Sequence, residues 1–582
     1  MGIASKSALI SLIVLLGAFA AYYYLAAKDN PSVQKPPERN SHTSKQQSYK
    51  FIDAKQANQI LKYVDLLQPV DESSNEHLFA PGDYYIKPFL GLKQDEEYCD
   101  KHRAYFTRNP NFIFKELNFM TDWGHDSLMR GKVASVIGND IQMYISFDMP
   151  KSDTREYDIE KNINVYYING PLDLYQHIGK TFGCQTQMYN HIPGQENLVR
   201  KDLVSRSITT YAEKYKDKPQ CFSYDRFFPQ TWHLLDKAQC IDFFNIFNSQ
   251  EYAALKAERR IVYIRKKGAA AHRAEGVQPV NEIEEKELRE IFGNGTKCGT
   301  AYENYIIQNY IHNALLLDGH KFDFRIYMLV ASSNPLMLFY HDGFLRLSLH
   351  KYNVSSDDKD VLLTNTELSK EIWTETAKGG LFKGMNETEL RDFQMWTFPQ
   401  LQAYLLKTKV ITDENWLDNH LRPQFKKAMI HLLRMSQHSF LKWSGVYELL
   451  GPDFILDENL NLWFLECNTS PNLQGTSVAK EKFLVEMLTD HYDIIISLLR
   501  SRTKRIVNFV NTVIEDAKKS EYPLDKYLSR NFAMLRKDFI DASRNRFEPE
   551  FQPRANNTFS KIIDENEEGL DRYAGFIPIE CY

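Results

Sequence analysis

An apolar stretch runs from Ala8 to Ala27 without a charge and ends in Tyr22, Tyr23 and Tyr24 before Lys28. As a helix it rises about 30 Å, roughly the hydrocarbon thickness of a bilayer, and tyrosines suit the membrane interface. Residues 1–28 are therefore expected to form a transmembrane signal anchor. A cleaved signal peptide is the alternative, because Ala18-Phe19-Ala20 resembles a cleavage site. Lys6 alone precedes the run, whereas Lys28, Lys35, Arg39 and Lys45 follow it, an asymmetry that favours a cytoplasmic body. Residues 29–50 are polar and proline-bearing, as in a flexible linker. Residues 51–160 carry no legible motif and read as an N-terminal extension, with a helix expected over 54–67.

Farther along, period-two and helical-period segments alternate between residues 261 and 470, which indicates a mixed α/β region. Residues 321–330 read as a strand with Lys321, Asp323 and Arg325 on one face and Phe322, Phe324, Ile326 and Met328 on the other. A solvated strand face with a surface ion pair is the plainer alternative. Residues 336–340 and 344–347 read as arms of a hairpin turning at Asp342-Gly343, with Arg346 on the return strand. Residues 451–457 and 462–468 form a second hairpin, turning within 457–461, that brings Asp453 near Glu466. A basic strand over 259–267 leads into a small-residue loop containing Arg273 and Gly276. Met429, Leu432, Leu433, Ser436 and Phe440 recur on one helical face, and residues 480–545 look helical.

Composition adds constraints. The chain has 582 residues, 43% hydrophobic and 25% charged, enough apolar stock for two or three packed units. A net charge of -5 gives no reason to expect nucleic acid as a partner. Seven scattered cysteines without a CxxC pair argue against a disulfide framework or a zinc site and for a reducing compartment. The N-x-[ST] sequons at Asn294, Asn353, Asn386, Asn468 and Asn556 are then expected to be unused.

Two segments suggest chemistry. Asp453, Glu466 and Asn468 converge at a strand end as an all-oxygen site, which suits Mg²⁺ shared with nucleotide phosphates. An Asp turn and an Asn cap before Pro471 would be the structural alternative. The basic strand and its small-residue loop can cover phosphates, although a basic edge strand is also ordinary. No Ser-His or Cys-His arrangement points to a covalent nucleophile.

In this order the segments resemble the tubulin tyrosine ligase-like family. The run Tyr305-Ile306-Ile307-Gln308-Asn309-Tyr310-Ile311, then Lys321-Phe322-Asp323-Phe324-Arg325, is similar to its strand-and-hinge element. Asp453 and Glu466-Cys467-Asn468-Thr469-Ser470-Pro471 look like its acidic ending, and Leu363-Thr364-Asn365 like its H-L-T-N element. Asn190-His191-Ile192-Pro193-Gly194 and Arg200-Lys201-Asp202 look like its N-terminal signature.

The resemblance spans about residues 160–500. It implies an α/β ATP-grasp fold at 261–500, an N-terminal α/β domain at 160–260, and a C-terminal helical extension and tail at 501–582. It also implies an ATP site lined by Lys266, Arg273, Gln308, Asn309, Tyr310, Ile311, Lys321, Asp323, Thr364 and Asn365. Mg²⁺ would be held by Asp453, Glu466 and Asn468, and Arg325, Arg346 and Lys201 would be catalytic.

The implied activity is ATP-dependent ligation of an amino acid to a protein carboxylate through an acyl-phosphate. The usual acceptors are the glutamate-rich tails of tubulin, so the expected setting is a membrane-anchored enzyme at microtubules or a cilium. Arg346 matches an arginine used for glutamate, with Lys378 or Lys383 as a second cation; tyrosine or glycine addition is the alternative. The family's K-P, R-G-x-G and H-L-T-N elements are altered here, to Lys266-Lys267, Arg273-Ala274-Glu275-Gly276 and Leu362 in place of the histidine. Those changes leave a catalytically weakened tubulin-binding scaffold as the rival reading.

Overall fold

A computed structural model describes residues 49–65, 96–108, 117–121, 141–145, 164–167, 188–223, 227–259, 261–268, 276–364, 382–469 and 471–582, with isolated positions between them. The expected anchor at 1–28, nearly all of the linker and much of the 51–160 extension lie outside these residues. Among the described residues no helix is long and apolar enough to cross a membrane.

Among the described residues fifteen strands make two sheets. The larger holds β1 (Leu117–Thr121), β2 (Ile141–Ile145), β3 (Val165–Tyr167), β4 (Met188–Asn190), β9 (Leu316–Leu317), β10 (His320–Ser333), β11 (Leu336–Lys351), β12 (Met395–Trp396), β13 (Val446–Leu456), β14 (Leu462–Asn468) and β15 (Ser560–Asp564). Its spatial order is β12-β11-β10-β13-β4-β3-β1-β2, with β14 on β13, β15 on β11 and β9 on β10. The half from β11 to β14 is antiparallel, and the half from β13 through β4, β3 and β1 to β2 is parallel. The smaller antiparallel sheet orders β5 (Thr231–His233), β8 (Tyr305–Asn309), β6 (Tyr263–Lys267) and β7 (Val277–Pro279) as β5-β8-β6-β7.

β10 is buried along its whole length, so its charged face is no solvated surface. Phe322, Phe324, Ile326 and Met328 enter one core, shared with Phe425, Met429, Leu432 and Leu433 of the helix Arg422–Ser436. Tyr327, Leu329 and Ala331 enter another, packed with the helix Val478–Lys519. That helix starts at Ser477, whose side chain accepts from the Lys480 amide, and its 42 residues span about 63 Å. One face of β10 is thus apolar toward its C-terminal end, under the long helix, and charged toward its start.

The hairpin expected at Asp342-Gly343 is not a turn. The chain reverses between Ser333 and Leu336, and β11 carries Asp342-Gly343 straight through a bulge. There the pairing steps from Arg325↔Phe344 to Tyr327↔His341, two residues opposite one. Gly343 has φ +71°, and a Cβ on it would lie 1.9 Å from the Arg325 carbonyl oxygen. An Asp-Gly pair supplies the same left-handed backbone to a bulge as to a turn, so the local signal did not discriminate. Arg346 remains on the strand paired with β10, opposite Asp323. The expected helix at 54–67 is observed as Ala54–Asp65. Phe440, expected on the helical face with Met429, lies beyond the helix end at Ser436.

The expectation against disulfides is overturned. Cys221 is bonded to Cys581, with Cα atoms 5.5 Å apart, and Cys240 to Cys298, at 5.7 Å. The partners stand 360 and 58 residues apart; pairings at such separations leave no local spacing motif to find.

Candidate active site

The strand register assembles the charged face. Asp323 lies opposite Arg346 on β11, Arg325 opposite Asp453 on β13, and Asp453 opposite Glu466 on β14. Because Asp323 and Arg325 are two apart, all five side chains share one side of four adjacent strands. Arg346 donates Nε and Nη2 to the Asp323 carboxylate, both at 2.7 Å. Its Nη2 also lies 2.8 Å from Asp453. Arg325 forks onto Asp453 at 2.6 and 3.0 Å. Against the cost of burial, Arg325 and Arg346 hold the Asp453 carboxyl below the usual range. Burial pushes Asp323 up, against the pull of Arg346 and of the Thr364 hydroxyl that donates to it at 2.6 Å. The Arg346 fork is thus made with Asp323.

A cleft opens between the two sheets. Lys201 at the start of the helix Lys201–Lys214, Lys266 on β6, Gln308 on β8 and Glu466 on β14 line it, with Phe464 and Phe228 as apolar wall. Lys201 Nζ is 3.2 Å from Glu466. Lys266 donates to Gln308 Oε1 at 2.8 Å and to the Leu465 carbonyl at 3.0 Å, joining the small sheet to the large one. Burial lowers the Lys266 ammonium to about 8, with Glu466 opposing. Despite burial, Lys201 and Lys266 hold Glu466 ionised below its ordinary value. Burial thus penalises the Lys266 charge while Glu466 stays ionised, a pairing of opposed shifts that marks a candidate site.

The third group sits behind the hinge. Lys321 donates to the Tyr310 hydroxyl at 2.8 Å and to the Leu362 carbonyl at 3.0 Å, and lies 4.2 Å from the centre of the Tyr310 ring. Burial brings its ammonium down to about 7, with Asp323 opposing. Leu362, which replaces the family's histidine, works here through its backbone. Its side chain is fully buried with Ile264, Val277 and Tyr310, so this departure leaves the Lys321 contact whole.

Other expected residues do not join this cluster. Asn309 and Ile311 flank Tyr310 at the end of β8, where Asn309 serves through its backbone amide, bonded to the Gln230 carbonyl. Lys383 is exposed and forms no ion pair among the described residues. Arg273 and Asn365 lie outside the described residues. One contributor that sequence reasoning missed is Glu448. Its buried carboxylate takes His191 Nδ1 at 2.9 Å and the Ile192 amide at 2.8 Å, so the Asn190–Gly194 signature fastens β4 to β13. The signature was legible; its partner, more than 250 residues away, was not.

The donor set fits a magnesium ion shared with phosphates. Among the described residues no three His, Cys, Asp or Glu side chains cluster to cage a metal, but Mg²⁺ usually takes one or two protein carboxylates and fills its shell with phosphate and water. Glu466 lies on the cleft wall, 3.2 Å from Lys201. Asn468 spends its Nδ2 on Gly451 and Asp453, which leaves Oδ1 as a ligand atom. Asp453, already shared by two arginines, would contribute least.

With this geometry described, the comparisons with known proteins are specific. Residues 181–505 match the model of the Tubulin-tyrosine ligase family, more than half of the chain, and the chain belongs to that family. It is 28% identical to "Protein polyglycylase TTLL10" of Mus musculus over 261 residues, 43% of this chain and 34% of the relative. It is 28% identical to "Tubulin glycylase 3A" of Drosophila melanogaster over 223 residues, 38% of this chain and 21% of the relative. It is 26% identical to "Probable alpha-tubulin polyglutamylase Ttll1" of Tetrahymena thermophila over 327 residues, 53% of this chain and 72% of the relative. The chain thus spans about a third of the mouse relative.

Proposed function

We propose that this chain is an ATP-dependent ligase that joins an amino acid to a carboxylate on an acidic protein tail, through an acyl-phosphate. The observation that carries this reading is the cross-strand register that aligns Asp323, Arg325, Arg346, Asp453 and Glu466 on one sheet face, whose Glu466 meets Lys201 and Lys266 in the cleft. In this reaction the acceptor carboxylate takes the γ-phosphoryl of ATP and ADP leaves. The amine of the amino acid then attacks the acyl carbon, phosphate departs and the amine loses its proton.

Lys266 and Lys201 would bear on the transferring phosphoryl, and Arg325 would hold the register of Asp453. Gln308, Tyr310 and Lys321 would line the nucleotide base. Mg²⁺, when bound at Glu466 and Asn468, offsets charge on the phosphates. Positioning and electrostatics supply most of such a rate enhancement. Tubulin is the acceptor that two of the relatives' names print, and it is the first to test.

For the incoming amino acid we propose glutamate, because among the described residues the bonds of Arg346 use Nε and Nη2 and leave Nη1. Glycine is the second reading, favoured by the glycylases among the relatives. The deciding experiment incubates the chain with ATP, Mg²⁺ and labelled glutamate, glycine or tyrosine in parallel, on microtubules and on an acidic peptide. Transfer of glutamate to either acceptor supports the proposal. A thermal shift with Mg·ATP but no transfer of any amino acid would leave the fold as a nucleotide-binding scaffold.

A further inference from the structure

Two observations bear on the compartment in which this fold is made. First, the bonds Cys221–Cys581 and Cys240–Cys298 are both in the interior, every sulfur-bearing residue being at most 6% exposed. Their Cα separations of 5.5 and 5.7 Å are those of ordinary disulfides. Each ties chain-distant elements, the first a loop after the helix Lys201–Lys214 to the tail, the second the helix Lys237–Phe247 to the loop beyond the helix Glu282–Phe292. Such structural pairs belong to oxidising compartments and are rare where glutathione keeps thiols reduced.

Second, the sequons divide by which amide atom is spoken for. Asn294, Asn353, Asn386 and Asn556 are exposed. In the first three the side chain accepts through Oδ1, from Arg289, from the Ser355 amide and from the Glu389 amide. The Nδ2 that a glycan would occupy is not needed for those contacts. Asn468 is the reverse: it spends Nδ2 on Gly451 and Asp453.

We propose that the body folds in an oxidising compartment of the secretory route and carries N-linked glycans on Asn294, Asn353, Asn386 and Asn556. Each disulfide forms by loss of two protons and transfer of two electrons to the disulfide of a resident oxidoreductase. Each glycan is joined by a bond from Nδ2 to the sugar's anomeric carbon. The donor is a lipid-pyrophosphate oligosaccharide whose pyrophosphate leaves, with loss of one Nδ2 proton. The apolar run at 8–27, as anchor or as signal peptide, supplies the export route, opposite to the cytoplasmic side that its flanking lysines favour. Resting on the ligase reading, the acceptors met in that setting are acidic segments of secretory proteins, to be tested beside tubulin.

The test expresses the full chain, with its own N terminus, in eukaryotic cells and lyses them in a thiol-alkylating reagent. An N-glycan-removing glycosidase is expected to increase mobility, in up to four steps under partial digestion. Asn353→Gln and Ser355→Ala should each remove one step. Mass spectrometry should find Cys221, Cys240, Cys298 and Cys581 unalkylated until a reductant is added. No glycosidase shift, or alkylation of all four cysteines without reductant, overturns the proposal. Neither readout uses ATP or ligation, so a failure here is separate from a failure of the ligase reading.

Discussion

Removing Arg346 would do two separable things. Its guanidinium neutralises two buried carboxylates, Asp323 and Asp453, and breaking a buried pair typically costs about 3–5 kcal/mol because the partner is left charged and unpaired. Arg346→Ala should therefore lower the denaturation midpoint. It should also raise the Michaelis constant for glutamate by roughly one to two decades if Nη1 contacts the substrate carboxylate. Arg346→Lys keeps the charge but loses the fork, so it should recover much of the stability and little of the glutamate use. If the constant for ATP rises instead, Arg346 acts on the nucleotide.

Glu466 offers a cleaner case, because it is a partly exposed residue of the cleft wall. Glu466→Gln preserves volume and should leave the thermal midpoint within a few degrees while lowering turnover by at least about a hundredfold. Full turnover at saturating Mg²⁺ would remove it from the site.

At the scale of elements, the sequence was legible wherever a signal was local and periodic. The alternation in residues 321–330 showed which side chains of β10 share a face, and the hairpin of β13 and β14 falls at the turn expected, with Asp453 opposite Glu466. Illegible were features set by partners distant in sequence, such as the 42-residue helix over Tyr327 and Leu329 or the Glu448–His191 clasp. Asp342-Gly343 misled because one local conformation serves two architectures. Its role in the bulge can be tested directly. Gly343→Ala places a methyl against the Arg325 carbonyl and demands a left-handed backbone from a non-glycine, at a cost of at least about 1–2 kcal/mol. The bulge lies next to the Arg325–Phe344 pairing, so ligation should fall with stability. A variant as stable and active as the parent in urea titration and turnover would show that the bulge is not rigid.

At the scale of the whole molecule, three buried histidines should govern acid stability. His341 sits on β11 beside Phe483 and Phe559; His431 lies in the helix Arg422–Ser436 against Tyr211; His491 lies in the long helix against Tyr447 and Tyr492. Burial lowers them to about 4, about 3 and about 3, respectively. Among the described residues neither ring nitrogen of His491 has a hydrogen-bond partner with which to hold a proton. Each group binds its proton in the unfolded chain near pH 6.5 but not in the folded one. Below that pH the unfolded state therefore carries more protons, and stability falls as pH falls, by about 1.4 kcal/mol per unit and per histidine, down to the folded value. Asp323 and Glu448, raised by burial, act in the opposite sense, since their folded forms hold protons longer and gain stability as pH falls. The wild-type slope mixes both signs, so the measurement is a difference. Urea midpoints of the wild type and of His491→Phe, taken at pH 7, 6, 5 and 4, should diverge below pH 6.5 by about 1.4 kcal/mol per unit. The phenylalanine variant should be the less sensitive to acid. Parallel profiles would mean that His491 reaches solvent and takes its proton in the folded state.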